Sequence, residues 1–461
     1  MDGAAAPTGL ARSLLAGDET RFLEGYFAAL AAIGRDSVGI TREAFGPGEE
    51  AAFDLVRDLA AALDVRAASD RAGNLVLRMD GAAAGPALVI GSHLDSVPQG
   101  GNFDGAAGIA AGLLVLARYR RAKCLPPLPL ELIVLRCEES AWFDRAYVGS
   151  LALWGGLSPR DLERRHRSSG RTLGECLAGI GADVAAITRG EALRDANDLL
   201  AFFEVHIEQG PVMVARGFPT APVTGIRGNR RYPRNRVVGA AGHSGAVPRW
   251  LRHDAVFAFG ELITGLDEHW KVLQERGIDL VVTAGVVSTH AADHGMTRIP
   301  GELFFSLEFR SQSEATLEAF AGLVRMESEA IGQRRGVRFD FDEPLASPPA
   351  VLDPWLRSRL ADAALALGID TEPLPSGAGH DAAVFAGAGV PTAMLFVRNE
   401  GGSHNPGERM DVADLLVTID VLHRTLDTTP WSERAGPDLA AGAAVARGAF
   451  PTPSTIKETK R

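Results

Sequence analysis

The chain has 461 residues, 46% hydrophobic and 23% charged, with 47 basic against 58 acidic side chains and a formal net charge of −11. That length exceeds one compact core, and the composition is that of a soluble globular protein of two or three domains. The acidic balance argues against nucleic acid or an anionic membrane as partner, and no apolar run approaches the roughly 20 residues of a membrane span.

The N-terminal stretch MDGAAAPTGLARSLLAGDE lacks a basic segment leading into a long apolar one, so no signal peptide is expected. Residues 18–65 read helical: ETRFLEGYFAALAAIG and EEAAFDLVRDLAAALD place apolar residues at three- and four-residue steps, with the breaker GPG before the second. NLVLRMD and ALVIGSH read as strands, the second apolar enough for burial on both faces. GIAAGLLVLARYR reads as a helix and LELIVLRCEE as a further buried strand. This alternation predicts a largely parallel sheet covered by helices, with functional residues at the carboxyl ends of strands, where His93 and Glu138 fall. Residues 151–200 read helical and charged. FFEVHI then reads as a third buried strand ending in ionisable residues.

The texture changes next. RRYPRNRVVGAAGHSG, VFAFGELITGLDEHWKVLQER, LVVTAGVVST, GELFFSLEFRS, EATLEAFAGLVRMESEAIGQ and VRFDFD follow a strand–helix–strand–strand–helix–strand order. That order predicts a small inserted α+β unit with a four-stranded antiparallel sheet and two helices. The first sheet resumes in DTEPLPSGAGHDAAVFAGAGVPTAMLFV, followed by a loop with SHNPGERM and the helix ADLLVTIDVLHRTL. The fold class is therefore α/β. The first domain comprises residues 1–215 and 343–430, the inserted unit 216–342, and an Ala/Gly/Pro-rich tail of poor order 431–461. Cys124, Cys137 and Cys176 are few, odd in number and widely spaced. They fit a reducing cytoplasm and no disulfide framework.

Taken singly, an HxD at a strand end, a glutamate pair, HIE and a GGxxDG loop have ordinary explanations as strand ends, solvated edges and turns. Jointly, His93, Asp104, Glu138, Glu139, His206 and His404 all fall where buried strands give way to loops. Charged groups beside a core cost several kcal/mol each unless paired or bound to metal. Imidazole and carboxylate donors without thiolate suit zinc, and less specifically manganese or cobalt. One carboxylate bridging two ions is the simplest use of three histidines and two carboxylates. Such a pair of ions clamps a water and polarises a carbonyl, while a spare carboxylate serves as base. The HxD spacing places Asp95 to orient His93.

GSHLDSVPQGGNFDGAAG, RCEES, FEVHIEQGPV, GHSGAVP, IPGELFFSLEFR, SGAGHDA and GGSHNPGE resemble motifs of the dinuclear-zinc amidohydrolases related to aminoacylases and carboxypeptidase G. The closest branch comprises N-carbamoyl-L-amino acid hydrolases, allantoate amidohydrolases and β-ureidopropionases. The resemblance runs from about residue 25 to 425. It implies two divalent ions, zinc first with manganese, cobalt or nickel possible, held by His93, Asp104, Glu139, His206 and His404, with Asp104 bridging. It implies Glu138 as general acid and base, and Arg310 as the guanidinium fork for a substrate carboxylate. Gln209 and the Gly379 backbone match substrate contacts, with His380 shaping the pocket. His243 matches a lid histidine that stabilises the oxyanion from the partner subunit of a homodimer. It also implies a cis peptide at Asp104–Gly105. His290 and His294 match no motif and read as ordinary loop histidines.

The departures lie in the substrate shell. Thr297 stands where the family usually has asparagine, Asn229 where glutamine is common, and bulky Trp142 follows the glutamate pair. The implied reaction is hydrolysis of a linear amide or ureide C–N bond in an N-carbamoyl-L-amino-acid-like substrate. An N-acyl or amide conjugate, or allantoate, is the alternative. The implied enzyme is cytoplasmic.

Overall fold

The computed structural model describes residues 5–434, and the chain forms two units. The first takes the chain up to Thr224, Leu352–Leu374 and the part from His380 onward; the second takes Gly225–Val351 with Pro375–Gly379. The crossings thus fall later than the 215 and 343 read from sequence. Strand Thr220–Ile226 explains the first: it pairs antiparallel with Thr392–Val397 and so belongs with the larger sheet.

Across the larger sheet the strands run Arg66–Ser69, Leu75–Met79, Leu130–Leu135, Ala87–His93, Leu199–Ile207, Thr392–Val397 and Thr220–Ile226. From Leu130–Leu135 to Thr392–Val397 neighbours are parallel, and every residue in these four strands is buried. That is why they read as near-continuous apolar runs, interrupted by Glu131 and Glu204. Antiparallel strands flank them. Alternation along a strand sends successive side chains to opposite faces. Phe203 joins the core formed with helices Glu19–Gly34, Pro47–Ala62, Ala106–Ala122 and Val412–Thr428. Phe202 instead stacks at 3.8 Å on Phe385 of helix Asp381–Gly387. Helix Ala106–Ala122 lies close to the sheet because its first turns are small residues, and Ala106, Ala107, Gly108, Ala110, Ala111 and Gly112 are all buried.

Two features lay outside the sequence reading. Helix Ala5–Ala16 precedes residue 18 and buries Leu10 and Leu14. The tail starts later than expected: Trp431 is buried and donates to the Leu426 carbonyl at 2.9 Å, and Arg434 pairs with Asp353. Residues 435–461 of the expected tail lie outside the described residues. Among the described residues no helix is long and apolar enough to cross a membrane.

In the second unit, strands Gly228–Val238 and Glu302–Ser311 pair antiparallel at the centre. Val281–Thr283 and Val287–Ser288 line the outer edge of Glu302–Ser311, while Arg338–Asp340 and Leu345–Ser347 line that of Gly228–Val238. The four expected rows are present, but both edges are broken, giving six strands. Burial alternates strictly along Glu302–Ser311, the signature of a sheet covered on one face. Leu303, Phe305, Leu307 and Phe309 face a core shared with helices Ala255–Glu275 and Glu314–Arg335. The GHSG segment is not a continuation of Gly228–Val238: Gly242–His243 pairs separately with Arg298–Ile299.

Candidate metal centre

Strand Ala87–His93 ends on a histidine whose ring is fixed from behind. His93 Nδ1 lies 3.1 Å from the Asp95 carbonyl and 3.4 Å from the Asp95 carboxylate. Asp95 thus contacts His93 first through its backbone. Its buried carboxylate accepts the N–H groups of Glu138 at 3.0 Å and Glu139 at 3.1 Å. His206, near the end of Leu199–Ile207, is fixed the same way, with Nδ1 2.9 Å from the Ile207 carbonyl. An Nδ1–H spent on a carbonyl leaves the Nε2 lone pair of each ring available.

Both Nε2 atoms face one carboxylate oxygen. Asp104 Oδ1 lies 3.0 Å from His206 Nε2 and 3.5 Å from His93 Nε2. Its other oxygen, Oδ2, lies 3.4 Å from His404 Nε2, which is 3.3 Å from Glu139 Oε1. Asp104 sits in a turn that ends at Gly105, with φ +66°. A Cβ there would fall 2.5 Å from the His93 ring, so only glycine fits. The expected cis bond is absent: among the described residues every peptide is trans, and the positive φ makes the turn instead.

The electrostatics call for cations. Burial would raise the Asp104 carboxyl, but His206, followed by hydrogen bonds from His404 and His93, holds it well below the usual range. Burial lifts Glu138 well above the ordinary value, and Glu139, Asp381 and Asp95 add repulsion that His93 only partly offsets. His404 is pushed up to about 10 by its hydrogen bonds to Asp104 and Glu139. Proton and metal compete for such donors. His93 Nε2 and Glu139 Oε1 are buried, and each lies against another charged member of the cluster, Asp104 at 3.5 Å and His404 at 3.3 Å. Among the described residues three donor sets are compact enough to hold a divalent ion, His93–Asp104–His206, Asp104–Glu139–His404 and Glu204–His206–His380, and the first two share Asp104.

The sequence pattern of peptidase family M20/M25/M40 matches residues 89–428, from the first of these donors past the last. The chain belongs to that family. A Geobacillus stearothermophilus protein named N-carbamoyl-L-amino acid amidohydrolase is 32% identical over 85% of this chain and 93% of its own length. An allantoate amidohydrolase of Escherichia coli K12 is 28% identical over 88% and 96%. The crystal structure of a hydantoinase/carbamoylase family amidase from Burkholderia ambifaria matches with TM-score 0.78 and 31% identity over 91% of this chain and 96% of that one.

Other expected site residues of this M20 chain fall as follows. Gln209, with φ +62°, turns its amide onto Asp104 Oδ2 at 2.7 Å. His380 is buried, its ring 4.4 Å from His206. Burial, then the neighbouring His206, holds it neutral well below the usual range. In the second unit, Arg310 donates to the Gly377 carbonyl at 2.6 Å and pairs with Glu308 at 2.9 Å. Asn229 is its register partner on the adjacent strand. Thr297 is exposed, and its carbonyl accepts the Ser244 N–H. His243 is exposed and accepts from Gly245 at 3.1 Å, and Gly379 is half-buried. Trp142 corrects the sequence reading. It is buried, stacked on His166 at 5.5 Å, and donates to the Ser96 carbonyl at 3.0 Å, so it is a core support of the HxD loop.

Sequence reasoning missed Arg42 and Glu408. Arg42 is fully buried and donates to the Leu94 carbonyl at 2.6 Å and to Asn102 at 2.9 Å, bracing both ends of the loop between His93 and Asp104. Nothing in TREAF signals this. Glu408 accepts the backbone N–H groups of Phe103 at 2.8 Å and Asp104 at 3.2 Å. Its signal was the carboxylate closing GGSHNPGE.

Proposed function

We propose that this M20 chain is a dinuclear metal-dependent amidohydrolase that cleaves the C–N bond of a linear carbamoyl or ureide group on an amino-acid-like carboxylate. The observation that carries this reading is Asp104, whose two oxygens address two separate donor sets. His93, His206 and Oδ1 would hold one ion, and Glu139, His404 and Oδ2 the other. Zinc is the first choice for these donors, with manganese, cobalt and nickel as alternatives. When bound, such ions supply Lewis-acid polarisation of a carbonyl and a lower pKa for water.

The chain's own residues supply the rest. Glu138, buried and shifted upward, takes a proton from the attacking water and delivers it to the departing nitrogen. One water added to a carbamoyl group, with loss of carbon dioxide, gives the amino acid and ammonia. Asp95 fixes the backbone from which Glu138 projects. Arg310 offers its guanidinium to the substrate carboxylate, with Asn229, Thr297, Gln209, Gly379 and His380 shaping the remaining contacts. His243, supplied by the partner copy in a homodimer formed through the second unit, donates to the developing oxyanion. The free cysteines favour a cytoplasmic enzyme. The names of the Geobacillus and Escherichia coli relatives support carbamoyl or ureide substrates.

The test is turnover of N-carbamoyl, N-formyl and N-acetyl amino acids, larger acyl conjugates and allantoate by enzyme loaded separately with zinc, manganese and cobalt. Ammonia or free amine is the readout. Turnover of carbamoyl compounds or allantoate supports the reading, and turnover of acyl conjugates alone moves the substrate class. Glu138→Gln should retain its metal and lose about 10²–10⁴-fold in kcat. No turnover with any metal would falsify the proposal.

A further inference from the structure

The two donor sets that meet at Asp104 are unequal. The side chains of His93 and His206 are 1% and 2% exposed, and each is locked through Nδ1 onto a backbone carbonyl. The His404 side chain is 51% exposed, in a loop where its own φ is +59°. The first set is built into strand ends, whereas the second depends on how a surface loop is held.

The hold is specific. Ser403 Oγ lies 2.6 Å from Asp104 Oδ2 and 2.6 Å from Glu408 Oε2. The other Glu408 oxygen accepts the Phe103 and Asp104 N–H groups. A Cβ at Gly101 would fall 2.2 Å from the Glu408 carboxyl, so the loop before Asp104 leaves room for that carboxyl by lacking a side chain there. Ser403 and Glu408 thereby tie the His404 loop to the Asp104 turn. The Ser403 link ends on Oδ2, the oxygen of the exposed set, where Gln209 also donates. Oδ1, which faces His93 and His206, is outside this link.

We infer that Ser403, anchored by Glu408, is a positioning residue for one cation position, that of Asp104, Glu139 and His404, and that it sets how readily this ion exchanges. The inference rests on the two-ion reading above. Loss of the Ser403 hydroxyl weakens the exposed position and leaves the buried one intact. Glu408→Gln keeps an acceptor for the two backbone N–H groups, so it weakens the same position less than Glu408→Ala.

The test is zinc bound per chain across a series of buffered free-zinc concentrations, measured by elemental mass spectrometry on full-length protein. Wild type should show two occupancies with separate midpoints. Ser403→Ala should shift the weaker midpoint about 10–100-fold and leave the tighter within about twofold. His404→Ala should abolish the weaker occupancy, and adding Ser403→Ala to it should change nothing further. Circular dichroism checks the fold, and Ser403→Ala carries the test if a Glu408 variant fails to fold. The inference is overturned if Ser403→Ala leaves both midpoints in place or moves both together. A wild-type chain that never takes up more than one ion overturns the two-ion reading, and this inference with it.

Discussion

Asp95 Oδ1 accepts the Glu138 N–H at 3.0 Å, while Oδ2 accepts the next N–H along, that of Glu139. One buried carboxylate therefore sets the backbone of both glutamates, and both oxygens are needed. Asp95→Asn keeps one acceptor and turns an N–H toward the other amide. It should destabilise the chain by about 1–3 kcal/mol and lower kcat more than it raises KM. Urea unfolding with steady-state kinetics checks this, and a variant of wild-type stability and rate would remove Asp95 as the anchor.

Arg310 already spends N–H groups on Gly377 and Glu308, contacts that hold its guanidinium in place. Arg310→Lys retains the charge but loses the planar fork. We expect KM for carboxylate-bearing substrates to rise at least tenfold with Lys and further with Ala, with a smaller change in kcat. Equal KM values for Arg310→Ala and wild type would place the carboxylate anchor elsewhere.

Trp142 packs on His166 and bonds to the Ser96 carbonyl. Trp142→Phe keeps most of the ring and removes the donor. The expected outcome is a loss of about 1 kcal/mol in stability with the order of preference among acyl groups unchanged. A reordered substrate panel would show that the indole acts on substrate after all.

Glu19, in the first turn of helix Glu19–Gly34, joins Arg118 and Arg121 of helix Ala106–Ala122. Burial alone would raise its carboxyl, but the two guanidiniums outweigh this and hold it below 4.5. A depressed folded-state value means stabilisation that is full above about 4.5 and lost as the pH falls through the lower folded-state value. Glu19→Gln should therefore cost about 1 kcal/mol at pH 7, a deficit that shrinks on acidification below pH 4.5. Denaturation of both proteins across that range tests the sign. A deficit independent of pH would mean that the ion pairs are not its source.

The strands and the candidate donor positions were legible because four strands are buried on both faces and leave near-continuous apolar runs, each giving way to ionisable residues. His93, Asp104, Glu138 and His206 are read that way. Arg42 was not, because nothing local distinguishes a buried arginine whose partners, Leu94 and Asn102, lie more than fifty residues on. Trp142 was misread because its hydrogen-bond partner, the Ser96 carbonyl, lies 46 residues back and its stacking partner His166 lies beyond the local pattern. The broken edges of the smaller sheet escaped because Val281–Thr283 and Val287–Ser288 are too short to carry a period.

The pairing of Leu199–Ile207 with Thr392–Val397 has a consequence during synthesis. Residues 208–391 must be made between the two strands, which takes roughly ten to forty seconds at ribosomal rates of about 5–20 residues per second. Through that interval Leu199–Ile207 is an open edge, with an apolar surface and a row of unpaired amides available to other nascent chains. His404 emerges later still, so the acidic pocket it completes must persist half-built. A chaperone that covers this edge during synthesis is therefore expected to raise the yield of folded protein.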